Sequence, residues 1–225
     1  ILRRVRENSR MALVQADFPT THDEQWKYTN PAAIVKAPLR LSTGKLQPPQ
    51  FGEQISALRL RDVGELRIVF VNGVFIPGLS VVDRLPAGVT ISSLLQLSRD
   101  ETKAGTVELL KQHLGRLARP EDNFFVALNG SYVQDIAFVE IGVGVVLTRP
   151  LHLISLVAVT GDAPVICPRV LIVARERSEC SIVETYSGPE NERYLTAAVT
   201  ELVVEHDAKV KVTKLQIEGK QGSHI

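Results

Sequence analysis

From about residue 124 the chain is a succession of short, β-branched runs between turns: VGVVLTR, LHLISLVAV, RVLIVAR, CSIVETY, ELVVEHD and KVKVTKLQI. Two blocks of that series are alike. Ser178-x-Cys180-x-Ile182 recurs as Ala208-x-Val210-x-Val212, the numbering advanced by thirty, and each follows a strand-like run and a charged turn, ARERSE and then EHDAK. A strand–turn–strand unit recurring at such a period cannot cover its own apolar face and must stack on the next copy. The expectation is a solenoid of parallel strands about 4.8 Å apart, a right-handed parallel β-helix, in a mainly β chain. A β-sandwich is the alternative for so many short strands.

The first half reads differently. Residues 1–16 set Leu2, Val5 and Met11–Leu13 among arginines, an amphipathic helix stopped by Pro19. Thr21 or Asp23 can cap a second, short helix carrying Glu24, Trp26 and Lys27 and ending at Asn30-Pro31. Residues 37–52, with Pro38, Gly44, Pro48 and Pro49, read as irregular chain. RIVFVNGVFI (67–76) is a hairpin around Asn72-Gly73, and FFVALNGSYVQDIAFVEI (124–141) is again β-rich around Asn129-Gly130. Helices are expected over 90–98 and 106–118, the second with Val107, Leu109, Leu110, Leu114 and Leu117 on one side. This gives an α/β region of helices and a hairpin over 1–122, followed by the beginning of the β-helix core over 123–225.

Charge narrows the function. With 26 basic and 25 acidic residues the net charge is +1, so no global field recruits nucleic acid or an anionic membrane. No apolar run approaches the roughly 18–20 residues that span a bilayer, and no secretory signal opens the chain. Cys167 and Cys180, with twelve residues between them, make neither a disulfide framework nor a CxxC motif, which suits a reducing compartment such as the cytoplasm.

Motifs for chemistry are absent. There is no GxxxxGK[ST], GxSxG, HExxH or EF-hand loop, and IGVGVV at 141–146 lies among strands rather than opening a helix. Neither ATP hydrolysis nor nucleotide binding is expected. Metal binding would need Cys167, Cys180, His152 and His206 to converge. The repeat argues otherwise, because Cys180 takes the place of Val210 one unit later, where a small apolar side chain fills the interior. Cys167, at a turn beside Pro168, reads as structural too. His152, in the run LHL, reads as a paired strand histidine, and His206 as solvated. No catalytic, cofactor-binding or metal residue is assigned.

Several fragments, in order, resemble the SufB/SufD family of iron–sulfur cluster assembly. Asp23–Thr29 (DEQWKYT) is similar to the family's DEEWKYT, and Phe70-Val71-Asn72-Gly73 with Leu79-Ser80 to its FVNG…LS hairpin. GVVL at 144–147 with RPLHL at 149–153 is similar to GVVLEKPIHL, and PRVLIV at 168–173 with Glu184-Thr185-Tyr186 to PRxLIV…VExY. Thr200-Glu201 stands where the family has VTEI. The WKYT and FVNG elements are nearer SufD than SufB. The departure is EIGVGVVLTR in place of VPKGVVLE.

The resemblance implies a helical N-terminal domain and a right-handed parallel β-helix. It also implies a subunit without catalytic activity that pairs with SufB and the ATPase SufC. It implies no cofactor held by this chain, although the complex handles an iron–sulfur cluster and its iron supply. Family chains are about twice as long, so the resemblance places Ile225 inside the β-helix. Trp26 would then anchor a short helix on the body. A homodimer stays open, as does the plastid stroma for a plant or algal protein. The rival reading is a carbohydrate-binding or carbohydrate-active β-solenoid. It would need clustered acids or stacked aromatics on an outer face, with Tyr132, Tyr186 and Tyr194 as the candidates.

Overall fold

A computed structural model describes residues 1–32, 34, 40–41, 51–58, 60, 66–82, 85–97, 104–158 and 163–225. Its strands are β1 (Arg40–Leu41), β2 (Arg67–Val71), β3 (Val74–Phe75), β4 (Val89–Ser93), β5 (Ala137–Ile141), β6 (Leu151–Leu156) and β7 (Pro164–Ile166). After them come β8 (Arg169–Ala174), β9 (Glu179–Ser187), β10 (Tyr194–Thr196), β11 (Val199–Val204), β12 (Lys209–Ile217) and β13 (Gly222–His224). They form three sheets, ordered β1-β7-β10-β13, β11-β8-β5-β4 and β12-β9-β6-β2-β3. These strand pairs are parallel except β2–β3 and β4–β5. With helices on their faces, these parallel and mixed sheets make an α/β fold.

The repeat read from the sequence is the register of the sheets. Arg169 pairs with Val199, Cys180 with Val210, Ile182 with Val212 and Ile166 with Thr196, so each residue meets its counterpart one repeat on. Three consecutive strands (β7, β8, β9) go one to each sheet, and the next three (β10, β11, β12) lie beside them in the same order. The turns repeat too. Arg177 and Asp207, at equivalent places in the two charged turns, both adopt φ of +56°. Arg177 N–H donates to His206 O at 3.0 Å, joining the two turns. Between them and the next strand over, Arg175 bridges Glu140 at 3.3 Å and Glu205 at 3.0 Å.

Alternation within each strand divides the apolar residues between cores. On β8, Val170 and Ile172 join Ile68, Val139, Leu151, Cys180 and Ile182 between two sheets. Its other face carries Leu171 and Val173 into a second core with Leu97, Leu110, Val133 and Ile136, beneath the helices. A third core sets Ile55 of the Gly52–Ala57 helix against Val69, Val71 and Ile154. Strands buried on both faces read as continuous apolar runs, which is why RVLIV and LISL show no polar alternation.

The N-terminal helix, Leu2–Gln15, and the hairpin at Asn72-Gly73 are as the sequence predicts. Asn72 and Gly73 take φ of +48° and +77°, and a Cβ on Gly73 would press within 3.3 Å of the Cys167 backbone. Trp26 closes a short 3-10 helix, Glu24–Trp26.

Three expectations are corrected. Residues 124–132, expected to be β, form a helix, Phe124–Tyr132, whose start is capped by Asn123 Oδ1 accepting from Phe125 N at 2.8 Å and Val126 N at 3.2 Å. Residues 89–93, which take in the start of the helix expected over 90–98, are strand β4, and among the described residues of that span Leu94–Leu97 are helical. Pairing with β5 outweighs helix propensity there. The helix expected over 106–118 is Ala104–His113; Gly115 at φ +73° lies beyond its end, and Leu117 is exposed. Most of the irregular stretch expected over 37–52 lies outside the described residues.

Candidate functional site

The four side chains that a metal would need are dispersed by role. Cys180 is buried among Ile182, Leu151 and Val170 between the sheets. Cys167 is 5% exposed, and burial pushes its thiol up to about 12, so it stays protonated. His152 is buried on β6 with Nε2 2.8 Å from Thr185 Oγ1 on the neighbouring strand. Burial, and then the nearby Arg67 guanidinium, push its pKa down to about 4, so the imidazole is neutral. His206 lies open in its charged turn, 3.1 Å from Asp207. Among the described residues no three His, Cys, Asp or Glu side chains gather as a metal site. Tyr186 and Tyr194 are buried on strands and Tyr132 is half-buried at the end of the Phe124–Tyr132 helix, so the three do not make one aromatic face for sugar rings.

Trp26 fits its reading as an anchor. Its ring lies 5.3 Å from that of Phe125, which with Phe124 and Phe18 builds an aromatic cluster at the start of the Phe124–Tyr132 helix.

The concentration of buried charge that sequence reasoning missed lies on the outward faces of β8 and β11. Arg169 and Glu201 side chains are 2% and 0% exposed and meet at 2.7 Å. Glu201 also accepts from the backbone N–H groups of Gly115 at 2.8 Å and of Leu117 and Ala118 at 3.3 Å. Its carboxylate therefore fills a concavity of N–H groups, which stabilises the anion. Arg169 donates further to Asn129 Oδ1 and to Ala118 O, while the Asn129 amide donates to Pro168 O at 2.9 Å and Ala197 O at 2.8 Å. The signal was available, because Arg in PRVLIV and Glu in VTELVV are charges set in largely apolar strands. Glu201 stands two positions beyond Val199, the register partner of Arg169, and so shares its face.

Beside this pair is a cleft of about 570 Å³ between the N-terminal helix and residues 114–121. Arg4, Lys111, Arg116, Arg119 and Arg169 line it, with Glu121 as the lining acid. Arg169 Nε is buried without an acceptor among the described residues. Lys111 is balanced by Glu108 and Arg119 by Asp122.

Residues 1–153 match the family described as SufBD protein N-terminal region, and residues 157–225 the one described as SUF system FeS cluster assembly, SufBD core domain. The iron–sulfur cluster assembly SufBD family protein slr0076 of Synechocystis is 26% identical over 92% of this chain and 46% of its own length. Protein ABCI7, chloroplastic, of Arabidopsis thaliana is 26% identical over 100% of this chain and 46% of its own. The SufBD family protein ycf24 of Pyropia yezoensis is 31% identical over 58% of this chain and 26% of its own. The chain thus spans about half the length of the first two relatives. Among the described residues no helix is long and apolar enough to cross a membrane.

Proposed function

We propose, from the premise that this chain belongs to the SufB/SufD family, that it serves iron–sulfur cluster assembly as a non-catalytic scaffold subunit of the SufD type. In this reading the three sheets are the three faces of a right-handed parallel β-helix. The thirty-residue register supports it, since strands β7, β8 and β9 each lie beside the strand one unit later in the same order. Family membership supports pairing with SufB and with the ATPase SufC, and handling of the cluster by the complex rather than by a cofactor of this chain. The protonated, buried Cys167 and the core position of Cys180 favour a supporting role over direct cluster ligation by these residues. The FVNG hairpin and the Trp26 element favour SufD over SufB. A chloroplastic relative suits the plastid stroma as well as the cytoplasm.

The observation that carries this reading is the pair of family matches over residues 1–153 and 157–225. Its test is co-expression of the full-length protein with SufB and SufC, followed by affinity purification through a tag on this subunit. Recovery of both partners, with SufC ATPase activity unaltered when Cys167 and Cys180 are replaced by alanine, is the expected result. A full-length, folded protein that retains neither partner would overturn the proposal.

A further inference from the structure

We propose that the cleft between the Leu2–Gln15 helix and residues 114–121 is a binding site for a small molecule carrying two or more oxyanion groups. The cleft is about 570 Å³, within the range of small-molecule sites. Among the described residues five basic side chains line it against one acid, Glu121. Three of the five are already balanced, Lys111 by Glu108 at 3.4 Å, Arg119 by Asp122 at 2.7 Å and Arg169 by Glu201 at 2.7 Å. Arg4 and Arg116 are exposed and form no ion pair among the described residues, so they leave an excess of positive charge on opposite sides of the cleft, one on the helix and one on the loop.

The second observation is at the wall. Arg169 lines the cleft and is buried, and among the described residues its Nε has no acceptor, although the rest of its guanidinium is engaged by Glu201, Asn129 and Ala118. A buried donor without an acceptor is costly, and it leaves the guanidinium at the wall incompletely satisfied, so that its positive potential adds to that of Arg4 and Arg116. Guanidinium groups offer paired N–H donors that fit carboxylate and phosphate alike. Val5, Leu114 and Pro120 supply apolar surface between the charges, which suits a compact organic anion better than an extended polyanion such as nucleic acid. Carboxylate and phosphate are the two sources of this chemistry.

The test is calorimetric titration of the full-length protein at low ionic strength with citrate and, separately, with inorganic pyrophosphate. Expected is saturable binding of at least one, weakening by about tenfold or more in Arg4→Glu/Arg116→Glu. A control of equal charge change far from the cleft, Lys211→Glu/Lys220→Glu, should leave the affinity unchanged. Citrate binding alone assigns a polycarboxylate, pyrophosphate binding alone a phosphate compound, and competition between them a shared oxyanion site. The proposal is overturned if neither probe binds at millimolar concentration, or if the remote control weakens binding as much as the cleft variant. Because Arg4 and Arg116 are exposed, the thermal midpoint should not move; should it fall, Arg4→Ala/Arg116→Ala replaces the charge reversal, and unchanged affinity there also overturns the site.

Discussion

Cys180 fills on β9 the position that Val210 fills on β12, and the two are register partners. Replacing it by alanine should therefore cost about 1 kcal/mol or somewhat more through the small cavity left among Leu151, Val170 and Ile182. Denaturant unfolding measures the cost, and iron content should not change; a folded Cys180→Ala protein that loses bound iron would refute the structural role. His152 makes a prediction of opposite character, because its effect depends on pH. Its folded pKa, about 4, lies below the ordinary 6.5, so the unfolded chain binds the proton first as pH falls. The stability that neutral His152 contributes is present above pH 6.5 and is lost progressively towards pH 4. Replacing His152 by Asn should flatten the decline of the unfolding midpoint between those pH values, and an unchanged slope would remove His152 as its source. Both residues were legible as structural from their neighbours, Cys180 from the repeat and His152 from the apolar run LHL. The hydroxyl that His152 meets was not, since Thr185 is far along the chain and only the register brings it near.

The Phe124–Tyr132 helix is where reading by pattern fails. Its FFVALNGSY holds three aromatic residues, Val126 and Asn-Gly, which are strand and turn signals, so the local preference points the wrong way. Contacts elsewhere in the chain decide the matter. The Asn129 amide is occupied by the carbonyls of Pro168 and Ala197, and Gly130 gives the N-terminal helix room to approach. A methyl group on Gly130 would collide with Ser9 Oγ and lie 2.8 Å from Ser9 Cβ. Gly130→Ala should thus destabilise by about 2 kcal/mol, even though alanine is the better helix former. Adding Ser9→Gly should recover part of the loss. Chemical denaturation of the two variants decides it; a stabilised single variant would mean that the helices are not in contact here. The start of the same helix carries a readable signal, because Asn123 is a strong capping residue. Asn123→Ala should cost about 1 kcal/mol in the same assay.

At the scale of the whole molecule, one ion pair fastens the helical layer to the sheets. Arg169 and Glu201 belong to adjacent strands one repeat apart, and Glu201 also holds the N–H groups of Gly115, Leu117 and Ala118. The pair lies on the outward faces of β8 and β11, away from the core that contains Cys180, so its loss need not open that core. Removing one partner strands the other charge in a buried site and should cost about 3–5 kcal/mol, whereas replacing both with apolar residues of similar size costs much less. Glu201→Leu should accordingly be more destabilising than Arg169→Met/Glu201→Leu, a double-mutant cycle with strong coupling. The damage should also be unevenly distributed. In Glu201→Leu the amides of Gly115, Leu117 and Ala118 lose their acceptor, so hydrogen exchange should quicken there while Ile172 and Ile182, held within the parallel ladders, keep their protection. Equal loss of protection in the 115–118 loop and in β8 and β9 would show instead that sheets and helical layer unfold as one body, and that the pair is no separable fastening between them.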